Sequence, residues 1–160
     1  MNDVTEYPGT STPDEPPLGA MTLRPWPESV PRARHWFRKF AAAYNLACPI
    51  DDCLLMITEV VTNAIVFGKA EDDWLVRVEW HRDGRALRVE VHNPGFPANV
   101  RMREAAAHEA HGRGLFLVNA LADSWHAGPS RFGGTVVSFT LQQAWPPGPV
   151  VYRPRSAHFE

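Results

Sequence analysis

The run Trp74–Gly95, WLVRVEWHRDGRALRVEVHNPG, decides how this chain folds. From Trp74 to His81 apolar and polar residues alternate, which is the two-residue period of a strand with one packed face and one solvated face. Arg82-Asp83-Gly84-Arg85 then interrupts the pattern with the chemistry of a tight reversal, and Ala86 to His92 alternates again. The reading is a β-hairpin. Asn93-Pro94-Gly95 ends its second strand, a turn that can present Asn93 at the sheet edge while Gly95 lets the backbone approach a flat ligand.

Outward from the hairpin the period changes. Upstream, Val30, Ala33, Phe37, Phe40, Tyr44 and Ala47 recur at three and four residues, one apolar stripe on a first helix. A second stripe, Leu54, Ile57, Val61, Ala64 and Ile65, predicts another helix, with Asp51 and Asp52 as capping oxygens and Gly68 as its stop. A short edge strand is expected at Met21 to Arg24. Downstream, the pattern weakens from Pro94 to His111, a loop or lid with room for a short helix in Val100 to Ala110. Leu115, Val118, Leu121, Ala122 and Trp125 restore the helical period, and Thr135, Val137, Phe139 and Leu141 alternate after Gly133-Gly134. Helices and strands in blocks predict an α+β fold: a two-layer sandwich with a mixed, mostly antiparallel sheet and helices on one face.

Seven of the fifteen prolines fall in residues 1–31 and four in residues 144–160, where hydrophobic periodicity also disappears. One domain is therefore expected at 21–142, between Pro-rich tails at 1–20 and 143–160, with Trp145 read as a partner contact or as part of a disordered tail. A net charge of -2, with arginines spread along the chain, excludes the basic footprint of a nucleic-acid binder. No apolar run approaches the ~18 to 20 residues that span a bilayer, so a cytoplasmic protein is expected. Cys48 and Cys53 read as two reduced thiols near a helix start, since a lone pair at that spacing makes neither a disulfide framework nor a zinc site. His108 and His111 in the lid carry no metal reading.

Glu59 and Asn63 are four apart on the second helix and so share a face. A carboxylate there can orient or deprotonate a nucleophile, and the amide oxygen suits magnesium. Gly112-Arg113-Gly114 opens the helix at Leu115, where backbone N–H groups and the positive helix end can face phosphate. Arg113 can either reach a phosphate or point to solvent. Each motif alone is ordinary turn or helix-surface chemistry.

Their order and spacing together carry the signal. Glu59-Val60-Val61-Thr62-Asn63-Ala64, Asn93-Pro94-Gly95, Gly112-Arg113-Gly114-Leu115 and Gly134-Thr135-Val136 resemble the GHKL superfamily of ATP-binding domains, shared by gyrase, histidine kinases and mismatch-repair ATPases. Within it, His111-Gly112-Arg113-Gly114-Leu115 and the short lid look most like the bacterial anti-sigma factor serine/threonine kinases. The resemblance covers about Pro31 to Leu141 and implies the Bergerat-type ATP-binding fold with ATP and Mg2+ as cofactors. It implies Glu59 as general base, Asn63 as magnesium ligand, Asn93 as reader of the adenine amine and Gly95 as the glycine beneath the base. Gly112, Arg113, Gly114 and Leu115 match the phosphate-facing loop, and Thr135 a hydroxyl at the adenine end. A sigma factor and an antagonist protein are the implied partners, and a homodimer through the first strand and helix is the implied assembly. Two positions depart from the pattern: Asn93 stands where the family usually has Asp, and Phe67 where many relatives have His. They leave open a nucleotide-gated partner-switching module with little or no kinase activity.

Overall fold

A computed structural model describes residues 16–68, 73–96, 113–149 and 152–153. Strand β1 (Gly19–Leu23) leads into helix α1 (Ser29–Ala43) and helix α2 (Ile50–Phe67), followed by the hairpin β2 (Val76–Asp83) and β3 (Ala86–Asn93). Helix α3 (Arg113–Leu121), β4 (Ser124–Pro129) and β5 (Thr135–Leu141) complete the described elements. The strands form one five-stranded sheet in the order β1-β2-β3-β5-β4, with every neighbouring pair antiparallel.

The alternation in β2 and β3 sorts side chains as expected: Val76, Val78 and Trp80, with Leu87, Val89 and Val91, enter the core. From the helices come Ala33, Phe37 and Phe40 of α1, Met56, Ile57, Val60 and Val61 of α2, and Leu115 and Val118 of α3. Each large side chain so buried contributes roughly 1.5–3 kcal/mol. Helix α1 lies on β1, α2 on β2 and β3, and α3 on α2 and β4, which makes the two-layer α+β sandwich. The turn is tighter than the four residues expected. Gly84-Arg85 alone joins the strands, and Gly84 takes φ 61°, a left-handed value that glycine adopts without strain.

Four expectations are corrected. Helix α2 begins one turn earlier, with Pro49 at the N-cap and no side-chain cap; Asp51 and Asp52 sit in the first turn, where their charge meets the positive helix end instead. Helix α1 stops at Ala43, because Asn45 turns left-handed at φ 53° and the Ala47 N–H bonds the Ala144 carbonyl at 2.8 Å. The helix expected through Trp125 ends at Leu121: Asp123 N–H donates to Thr140 O at 3.0 Å, and the chain continues as β4 against β5. Packing also runs past Gln142. Ala144 and Trp145 are buried, and the Trp145 indole N–H donates to Tyr44 O at 2.9 Å, so this tryptophan belongs to the core.

Candidate functional site

The β3 end, the β5 start and the C-terminus of α2 meet at three glycines. Asn93, 4% exposed, pairs with Thr135 in the β3–β5 ladder. Its Oδ1 accepts a 2.9 Å hydrogen bond from the Gly95 N–H, and Thr135 Oγ1 donates to the Gly95 carbonyl at 2.7 Å. The Asn93 side chain thus clamps the turn from one side and Thr135 from the other. A Cβ on Gly68, at the end of α2, would lie 2.8 Å from Asn93 Cβ and Cγ; one on Gly95 would lie 3.0 Å from Asn93 Oδ1 and 3.1 Å from Gly68 Cα. Gly134 takes φ 81°, and a Cβ there would stand 2.2 Å from Asn93 O. Without side chains at 68, 95 and 134, the helix end, the turn and the strand start close on one another.

Glu59 and Asn63 lie half-buried, one turn apart, on the flank of α2 that borders its buried side. Phe67 follows on the last turn, also half-buried. Arg113 and Gly114 open α3, so the helix end begins at the phosphate-facing motif expected from the sequence; Gly112 and the lid, with His108 and His111, lie outside the described residues. Leu115 is 5% exposed and packs in the core, which leaves only its backbone N–H to face a ligand. The donor set suits an adenine nucleotide. Asn93 keeps an NH2 and a second lone pair on Oδ1, Gly95 supplies bare backbone, and Thr135 keeps acceptor capacity on its hydroxyl.

On the opposite face of the same strands, away from the described helices, lies a charged cluster that sequence reasoning missed. Its signal was present as the polar half of each alternation: Arg77, Glu79 and His81 on β2, with Arg88, Glu90 and His92 on β3. Glu79 and Glu90 are directly opposite in register, a like-charge pair that would destabilise the ladder. Arg131, in the β4–β5 turn, resolves it by donating to Glu90 Oε1 at 2.9 Å and to Glu79 Oε1. His81 Nε2 lies 3.0 Å from Glu79 Oε1, His92 Nε2 lies 3.1 Å from Glu90 Oε1, and Arg77 donates to Glu79 at 2.6 Å. Burial pushes both carboxyls up, but the bonds outweigh it: those from Arg77, Arg131 and His81 hold Glu79 below the usual carboxylate range, and those from His81, His92 and Arg131 hold Glu90 well below it. Glu79, Glu90 and His92 bring ligand atoms within 4.8 Å of one another, with the Arg131 guanidinium as the cation against both carboxylates. His92 Nδ1 meets Ser130 Oγ at 2.8 Å, so the cluster also ties down the turn that delivers Gly134 and Thr135 to Asn93.

A family profile described as the histidine kinase-like ATPase domain matches residues 23–141. The chain belongs to that family, and its fold is the ATP-binding fold of the GHKL type. Comparison with curated protein sequences finds no match. Among the described residues, no helix is long and apolar enough to cross a membrane.

Proposed function

We propose that this chain is a cytoplasmic regulatory protein of the anti-sigma factor type, which uses MgATP to phosphorylate Ser or Thr on a small antagonist protein and alternately holds a sigma factor. The observation that supports it is the placement of Glu59 and Asn63 together on the half-buried flank of α2, the helix whose end packs on Asn93. ATP supplies the transferable phosphoryl group, and Mg2+ neutralises charge on its phosphates. Glu59 orients the acceptor hydroxyl or takes its proton, and the Asn63 carbonyl oxygen serves the metal. Asn93, Gly95 and Thr135 hold the base, while the N–H groups that open α3 after Gly112, with Arg113 beside them, face the phosphates. A homodimer through β1 and α1 belongs to the same proposal, and Trp36, 46% exposed on α1, is consistent with a covered face there.

A second reading, a nucleotide-gated binding module with little kinase activity, is favoured by one observation: the neutral Asn93 already spends an Oδ1 lone pair on Gly95. The two readings separate in a transfer assay with labelled γ-phosphate and a co-purified antagonist. Glu59→Gln is expected to lower transfer by about 10²- to 10⁴-fold with ATP affinity nearly unchanged, and Asn63→Ala to weaken both. If wild type transfers no more label than Glu59→Gln while ATP still alters partner affinity, the kinase reading fails and the binding module stands.

A further inference from the structure

The chain's two cysteines meet at the start of α2. Cys48 lies half-buried in the α1–α2 connection, two residues before the helix, and Cys53 lies fully buried in the core three residues into it. Their Sγ atoms are 3.6 Å apart in a thiol–thiol hydrogen bond. We propose that Cys48 and Cys53 are a reversible oxidation site, in which a hydroperoxide oxidises Cys48 and Cys53 then closes an intramolecular disulfide.

Three features support this chemistry. A disulfide needs sulfurs about 2.05 Å apart, so the 3.6 Å contact must shorten by about 1.5 Å. Cys53 is held by α2 and the core, whereas Cys48 belongs to residues 46–49, which are in no regular element and come just after the left-handed Asn45, so the Cys48 side supplies the movement. Exposure divides the roles as well. A hydroperoxide reaches the half-buried Cys48, while Cys53 is shielded from solvent and accessible to Cys48. The electrostatics agree: the hydrogen bond from Cys53 holds the Cys48 thiol below its ordinary range against the opposing effect of burial, and that same bond, then burial, pushes Cys53 up.

The reaction balances in two steps. With hydrogen peroxide, the Cys48 thiolate attacks one peroxide oxygen; an S–O bond forms, the O–O bond breaks, and the departing hydroxide takes a proton to become water. The Cys53 sulfur then attacks the Cys48 sulfur, so the S–S bond forms as the S–O bond breaks, and the second hydroxide leaves as water with the Cys53 proton. The two sulfurs lose two electrons and the peroxide gains them. The product ties the α1–α2 connection to the helix that carries Glu59 and Asn63. That connection also receives the C-terminal segment, through Ala47 N–H to Ala144 O at 2.8 Å and Trp145 to Tyr44 O.

The test is hydrogen peroxide added to the full-length reduced protein, then alkylation and intact mass measurement, with circular dichroism to establish that each variant is folded. Wild type is expected to lose two hydrogens in mass, to lose both alkylatable thiols with no crosslink between chains, and to recover both with dithiothreitol. Cys53→Ser should stop at a sulfenic acid on Cys48 that dimedone traps, and Cys48→Ser should leave Cys53 reacting at least ~10-fold more slowly. Retention of both thiols in wild type, crosslinks only between chains, or equal reactivity of the two single variants overturns the proposal.

Discussion

Asn93→Asp replaces one amide nitrogen by oxygen at a position that is 4% exposed, and the effect differs at the two ends of the side chain. Oδ1 keeps its bond from the Gly95 N–H, now charge-assisted; such bonds contribute about 1.5–3 kcal/mol against about 0.5–1.5 kcal/mol for neutral ones, so the turn tightens by about 1 kcal/mol. At the other end, an NH2 that can donate becomes an oxygen that can only accept. Adenine presents an amine at its 6-position and gains about 1 kcal/mol, or ~5-fold in affinity, while guanine presents a carbonyl and meets repulsion. The ATP-to-GTP affinity ratio is therefore expected to rise by about tenfold or more. Without ligand, the cost of burying the carboxylate against Gly68 and the turn exceeds that gain, so the free variant should melt below wild type and show the larger upward shift on MgATP. Isothermal calorimetry with ATP and GTP, beside melting curves of both proteins, measures each quantity. An unchanged or inverted ratio would show that Asn93 does not read the base.

Trp145→Ala is expected to cost about 3–5 kcal/mol in urea denaturation, because a tryptophan that is 2% exposed leaves a cavity and an unpaired Tyr44 carbonyl; a loss below ~1 kcal/mol would remove residues 144–145 from the core. Gly134→Ala combines a left-handed φ of 81° with a Cβ 2.2 Å from Asn93 O, so it should destabilise by at least ~2 kcal/mol and weaken ATP binding, and a change under ~0.5 kcal/mol in the same assay would contradict the geometry. Glu79 and Glu90 have folded pKa values below 4.5, so the stability they supply is fully present above about pH 4.5 and is lost as pH falls through the lower folded values. Chemical denaturation between about pH 6 and about pH 3 should show that acid loss in wild type and a flatter profile in the Glu79→Gln, Glu90→Gln double variant; identical profiles would discount the cluster.

Features that depend on short-range periodicity and special residues are legible in the sequence alone. The hairpin, both long helices, the stop at Gly68 and the strand at Thr135 come from alternation, three-to-four spacing and glycine, all of which act within a few residues. Order along the chain also brings Asn93, Gly95 and Thr135 into one argument, and the structure joins them by hydrogen bonds. Tertiary contacts settle whatever depends on a distant partner. Ser124 and Trp125 read as the end of a helix until β5 offers them a ladder, because Trp125 satisfies either period and pairing with Phe139 selects the strand. Trp145 reads as tail composition until Tyr44 and the hairpin turn supply its surroundings, with Ala144 N–H bonded to Arg85 O at 2.9 Å. Glu79 and Glu90 read as ordinary solvent-facing residues of two strands. Only the register that sets them opposite each other, and the turn that brings Arg131 between them, makes them a buried cluster, since the repulsion and its relief both act between residues far apart in sequence.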